Sequence, residues 1–419
     1  MKANITIISQ FLLIASVIFL FYPTSNNANV NNYALLLDGM DTLKYYGMDT
    51  TGHWWAITKP FGKYRLYIDG IEGEVCDDIT YPVISPDARQ WSYYGYYNSV
   101  IHFIANEGDS IANYELDATD FGENVYSPTG EYLAYSYFQS GTEVIVLPNR
   151  TIKVTNRYGK LFIDNSGTSY TIMGKHYNSY VININGKEST TFDSIIPIGY
   201  WHNRDFIYAG FNGSSWDIYQ GEKQIGTSYS QVLDAIVNKA GTILAMLVRL
   251  NTGRCMCIVV GADYYDPIYG KTYDNVWGLA LHPTEMIYGY GATEHSRTFV
   301  VQSATEYNAN GEIGRPFYSY NGDELIFTAM GEFGPYINVN GKKTDIRISL
   351  YQDDIIAKKP GEETIALPTE LTLLIYNYAK NESYPHILCD AVSNVIYNAH
   401  SNRYEALGVI NNRLYMLWE

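Results

Sequence analysis

The chain has 419 residues, 46% of them hydrophobic and 17% charged, a balance that excludes a disordered chain and allows a large buried core. Its 44 acidic residues outweigh 28 basic ones, for a formal net charge of -16, and no basic run is longer than Lys342-Lys343 or Lys358-Lys359. Nucleic acid and anionic membrane surfaces are thereby excluded as electrostatic partners, because both need clustered Lys and Arg to replace counterions.

Residues 1–30 stand apart from the rest. Lys2 precedes an apolar run that ends in Phe19-Leu20-Phe21-Tyr22, and polar, Asn-rich sequence follows. A basic start and an apolar core of this length read as an export signal, either cleaved near Ala28 or retained as an anchor, since Ile5 to Tyr22 almost reaches spanning length. The body of the chain is therefore expected outside the cytosol: periplasmic, secreted, or held at the outer face of a membrane.

From residue 31 the chain is repetitive. Tyr126-Ser127-Pro128-Thr129-Gly130 is a tight turn running into the strand-like Tyr132-Leu133-Ala134-Tyr135. Pro presets φ for a turn's second position, and Gly accepts the positive φ that branched residues resist. Equivalent turns centre on Gly52, Ala88, Gly167, Asn203, Gly241, Thr284, Gly322, Gly361 and Asn402, spaced 36 to 43 residues apart. Thr284 accepts positive φ least readily, so its turn is expected to be of another type.

A second motif follows the first. Tyr64-Arg65-Leu66-Tyr67-Ile68 ends in Asp69-Gly70, and Asn185-Gly186 and Asn340-Gly341 repeat the pattern. Asn-Gly and Asp-Gly between extended segments signal a type I′ hairpin. Gly221 and Gly261 hold similar offsets, and Phe192-Asp193-Ser194 and Tyr273-Asp274-Asn275 close their units. Each unit thus reads as about four short antiparallel strands, the size of a propeller blade. Tyr33 to Gly39 resembles a hairpin strand without its turn, while residues 400–419 begin a unit and stop. The two ends are expected to complete one sheet and fasten the ring, which removes exposed sheet edges. Ten turn positions exceed the usual four to eight blades, leaving one wide ring or two smaller propellers.

The ordered pair of motifs, Ser-Pro-Asp-Gly-like and then Val-Asn-Gly-Lys-like, resembles the WD40-like (PD40) repeats of TolB-type β-propellers. The resemblance covers nearly everything after residue 31 and implies an all-β propeller fold. It implies no functional residues, because the matching positions form turns.

Candidate chemistry is sparse. Four cysteines, Cys76, Cys255, Cys257 and Cys389, are expected as small buried side chains or a disulfide, with Cys255 and Cys257 on one strand face. The eight histidines are scattered, and His53, His202 and His282 sit beside repeat turns. The acidic pairs Asp77-Asp78 and Asp353-Asp354 occupy equivalent places in two units, which favours a structural origin. No Gly-x-Ser-x-Gly elbow, zinc motif, phosphate loop or calcium loop is present, so no catalytic, cofactor or metal residue is assigned.

The anomaly is aromatic, with 41 Tyr, 7 Trp and 15 Phe. These residues suit strand packing, and they also enrich recognition surfaces. Trp54, Trp91, Tyr94, Tyr96 and Tyr264 are the candidate binding aromatics. The expected function is a non-catalytic exported propeller that binds a protein or cell-envelope component. The alternatives are a glycan lyase or hydrolase with its site in the central channel, and a membrane-anchored sensor of small ligands.

Overall fold

The structure, a computed structural model, describes residues 32–38, 42–49, 51–87, 89–107, 110–154, 158–176, 178–201, 205–226, 228–238, 240–261, 267–309, 311–332, 334–344, 356–369, 371–380 and 382–419. The export segment, Ala88, Asn203, His202, Tyr264 and Asp353-Asp354 lie outside the described residues.

Why the turns recur is visible in their hydrogen bonds. The first turn residue carries a short acceptor side chain that caps amides a few residues ahead. Asp164 Oδ1 accepts from Thr168 N and Ser169 N, each at 3.0 Å. Asn238 Oδ1 does the same for Thr242 N at 2.8 Å and Ile243 N at 2.9 Å. Ser127 Oγ accepts from Tyr132 N at 3.2 Å, and in His282 the acceptor is Nδ1, taking Glu285 N at 2.9 Å. The glycine three residues on has two reasons to be there. Gly322 has φ +87°, and a Cβ on it would lie 2.0 Å from Nε2 of His282 in the preceding unit. Thr284 is absent from the described positive-φ residues, so its turn is indeed of another type.

The hairpin Asn or Asp is also used twice. Asn185 has φ 53° before Gly186, and its Oδ1 accepts from Tyr170 N at 2.9 Å; Asn340 repeats this with Leu325 N at 2.8 Å, and Asp69 with Trp54 N at 3.0 Å. One side chain ties the hairpin to the start of the second strand. Gly261 is the last residue of the strand Cys255–Gly261, opposite Ile243, and residues 262–266 after it lie outside the described ones.

These units assemble into ten antiparallel sheets, the blades of a β-propeller. Blades 1 to 9 occupy residues 43–76, 78–116, 120–154, 158–188, 194–224, 231–269, 275–309, 317–343 and 357–385. Blade 10 joins the two ends of the chain. Residues 391–418 supply its inner strands, and Asn32–Leu37 pairs antiparallel with Arg413–Trp418 as the outermost. Among the described residues the only helix is the short turn Pro60–Gly62, and none is long and apolar enough to cross a membrane.

Each blade buries its face against the next, as propeller packing requires. Leu247 and Cys257 of blade 6 meet Val276 and Tyr290 of blade 7, and Ile337 of blade 8 meets Ile365 of blade 9. The succession closes on itself, because blade 10 packs on blade 9 through Tyr404 and Ala406 and on blade 1 through Leu407 and Leu414 against Trp54 and Ala56. Much of the tyrosine stitches these interfaces. Tyr94 of blade 2 donates to Ser136 O of blade 3 at 2.5 Å, and Tyr404 of blade 10 donates to Thr364 O of blade 9 at 2.7 Å. A buried ring thus packs while its hydroxyl keeps a partner. All four cysteines are buried free thiols, with Cys255 and Cys257 in one core as their spacing implies.

Innermost strands touch between blades 2 and 3, 3 and 4, 5 and 6, 6 and 7, and 7 and 8, and in blades 1, 3, 4, 5, 6 and 7 each carries a register shift. Such bulges bend a strand and increase its twist.

Candidate binding groove at the ring closure

In blades 1, 2, 3, 7 and 10 the loop joining the second and third strands is a turn with positive φ at two successive residues. Polar or small residues fill it in blades 2, 3 and 7: Asn98-Ser99, Ser140-Gly141 and His295-Ser296. In blade 1 the first of these positions is Phe61, at φ 49° and ψ 30°, between Pro60 and Gly62. A bulky residue in left-handed backbone costs on the order of 1–2 kcal/mol. Its ring is also fully exposed, at 105% of the reference area. The loop beneath is held in place: Lys63 N donates to Pro60 O at 2.9 Å, Lys59 N donates to Thr42 O at 2.9 Å, and the Lys59 ammonium stands 4.6 Å over the Tyr64 ring.

Phe61 stands at the edge of a cavity of about 680 Å³ between blade 10 and blade 1. Both ends of the chain build it, since Leu37 and Leu414 of blade 10 face Leu43, Tyr67 and Val75 of blade 1. That volume and that apolar wall are typical of ligand sites. Thr58 lines the cavity at 6% exposure, and its hydroxyl oxygen has no hydrogen-bond partner among the described residues. Ion pairs frame the opening: Arg413 with Asp38 at 2.8 Å, Lys63 with Asp77 at 2.9 Å, and Arg65 with Glu72. The arrangement offers an apolar trough and a rim of balanced charge.

The aromatics singled out from sequence are placed differently. Trp54 is 7% exposed in the core beneath this groove. Trp91, at 8%, lies between blades 1 and 2, stacks on Tyr93 at 5.9 Å and borders a smaller cavity of about 280 Å³. Tyr94 is fully buried between blades 2 and 3. For these three the expected open surface is replaced by inter-blade packing, because their strand positions face a neighbouring sheet. Tyr96, 36% exposed at the end of its strand, reaches solvent, and Tyr264 lies outside the described residues. The structure brings none of the four described ones to the groove. Phe61 was missed, although Pro-Phe-Gly stands where other units carry small or polar turn residues.

The histidines serve the frame. His53 Nδ1 pairs with Asp69 Oδ2 at 2.5 Å, a bond that raises the imidazole pKa above its ordinary value despite opposing desolvation. At the inner edge Asp234 Oδ2 accepts from Leu279 N at 3.1 Å and pairs with Arg315 at 3.4 Å, clasping blade 6 to blade 7 and to the segment that leads into blade 8. Among the described residues no three His, Cys, Asp or Glu side chains cluster as metal ligands would.

No family model matches the chain, and no curated protein sequence does. Solved structures do match. A eukaryotic initiation factor is 12% identical, covering 90% of this chain and 98% of that one, with a TM-score of 0.49. The β-propeller domain of the Trilobed protease from Pyrococcus furiosus is 13% identical over 64% of this chain and 97% of that one, with a TM-score of 0.33. A putative TolB from Agrobacterium tumefaciens is 13% identical over 48% of this chain and 83% of that one, with a TM-score of 0.29. Likeness at this level bears on no function, and the fold assignment rests on the blade topology itself.

Proposed function

We propose that this chain is an exported, non-catalytic β-propeller that binds a protein or cell-envelope component through the groove at its ring closure. The observation that carries the reading is Phe61. A fully exposed aromatic in left-handed backbone is unfavourable twice over in the free chain, once in strain and once in hydrated apolar surface. A partner that covers the ring recovers about 1.5–3 kcal/mol of burial. The adjoining trough supplies a place for an apolar side chain of the partner. Export rests on residues 1–30, and rigid repeat scaffolds that carry function on loops accord with the binding role.

The test compares the wild-type protein with Phe61→Ser as bait on envelope extracts, with crosslinking and mass spectrometry. A component captured by the wild type and lost with Phe61→Ser, at unchanged thermal stability, is the expected result. Equal capture by both moves the site elsewhere. Turnover of a glycan by the purified protein, abolished by substituting a channel carboxylate, defeats the non-catalytic reading.

A further inference from the structure

We infer that the outermost strand of blade 10, Asn32–Leu37, pairs edge to edge with the same strand of a second copy, making a two-fold dimer. Among the described strands this one pairs only with Arg413–Trp418, and its other edge carries no partner strand. Side chains on it stand in solvent: Tyr33 and Leu35 are each 49% exposed, and Ala34 is exposed between them.

Unprotected strand edges template further pairing, and proteins blunt them with charge, shortness or bulges. The other nine blades follow that rule. Their outermost strands are Ile71–Cys76, Ser110–Leu116, Arg150–Val154, Lys187–Glu188, Lys223–Gln224, Ile268–Tyr269, Thr305–Ala309, Lys342–Lys343 and Glu382–Pro385. Every one longer than two residues contains Glu, Lys or Arg. Asn32–Leu37, with the sequence Asn-Tyr-Ala-Leu-Leu-Leu, has no charge, and its one irregularity, between Leu35 and Leu37, leaves Asn32–Leu35 as a regular uncharged edge.

Charge also selects the occupant. A two-fold axis sets a strand against itself, so any ionised side chain near the axis meets its own image a few ångströms away, and like charges directly opposite destabilise a pair. On a chain of net charge -16, copies repel almost everywhere. This strand is the one long edge where self-pairing carries no such cost. Pairing there would continue the sheet of blade 10 across the dyad and cover Tyr33 and Leu35. Pairing over this short strand makes a small interface, which predicts a weak, concentration-dependent dimer. The strand's last residue, Leu37, also lines the groove, but the two readings separate by experiment because Phe61 lies on another element than the strand edge.

The experiment is sedimentation analysis of the protein recovered from expression of the full chain, across a micromolar concentration series. Wild type should shift from one chain to two as concentration rises. Leu35→Lys and, separately, Tyr33→Lys should weaken that association at least about tenfold, by setting like charges across the dyad. Near-ultraviolet circular dichroism reports whether each variant keeps its fold, and Phe61→Ser should dimerise as wild type does. A wild type that stays monomeric throughout, or a dimer indifferent to both lysines, overturns the inference. So does hydrogen exchange showing protection in the monomer of the outward-facing amides of strand 32–37, those not directed at Arg413–Trp418, which would mean that the chain's own sequence covers the edge.

Discussion

The ammonium of Lys358 lies 2.8 Å from the carboxylate of Glu324, joining blade 9 to blade 8 from a side chain with no solvent exposure. Lys358 stands at the turn position that is Asp, Asn or Ser in most blades. Those residues accept hydrogen bonds from turn amides. Lys358 donates instead, to Lys359 O at 2.7 Å and to Glu362 O, so the capping logic is inverted and a positive charge is buried. Glu324, 16% exposed, neutralises it. Lys358→Met removes one partner of a buried pair and is expected to cost about 3–5 kcal/mol. Equilibrium urea unfolding measures this. Adding Glu324→Gln should recover part of the loss, because the stranded carboxylate is then gone.

The turn glycines separate into two energetic cases. Gly361 has φ +72° and open space where a Cβ would go, so Gly361→Ala carries only a dihedral cost of about 1 kcal/mol. Gly322→Ala adds a collision with His282 Nε2 at 2.0 Å. Its melting temperature should fall clearly further than that of Gly361→Ala. Equal falls would show that contact between adjacent turns contributes nothing.

Closure of the ring should weaken in acid. His386 Nε2 is 2.9 Å from Asn32 O, at the start of the N-terminal strand, so this nitrogen carries the proton of the neutral ring. Nδ1 is buried and has no partner among the described residues. Desolvation lowers the imidazole pKa, against smaller opposing effects of the Asn32 and Trp418 carbonyls. The unfolded chain therefore takes up a proton first, near pH 6.5, and stability is lost as pH falls below that value. His53, raised by Asp69, has the opposite sign: its contribution is present in acid and lost as pH rises through its folded pKa. Urea midpoints at about pH 7.5 and about pH 5.5 should differ less in His386→Gln than in the wild type.

The thiols should be silent in the folded protein. Burial pushes the Cys76 pKa up to about 12 and that of Cys389 up to about 11, and raises Cys255 and Cys257 as well. Thiolate is the reactive form. Maleimide at about pH 8 should label none of the four in native protein and all four in urea. Native labelling of Cys257 would contradict its packing between blades 6 and 7.

What the chain's residues determined alone is local. Positive φ at Gly322 and a type I′ hairpin at Asn185-Gly186 each follow from a few neighbouring atoms, so such turns recur legibly and count the blades. The unfinished units at the two ends foretold their joining for the same reason, since an unpaired strand and an incomplete sheet each lack what the other supplies. Tertiary structure decided the rest. Trp54, Trp91 and Tyr94 lie on strands whose two faces the sequence alone does not distinguish, and only the neighbouring sheets turn them into core. The groove at the closure exists because Leu37 and Leu414, nearly the whole chain apart, are brought against Leu43. No local rule reaches that far, because the contact depends on how all the intervening blades stack around the axis.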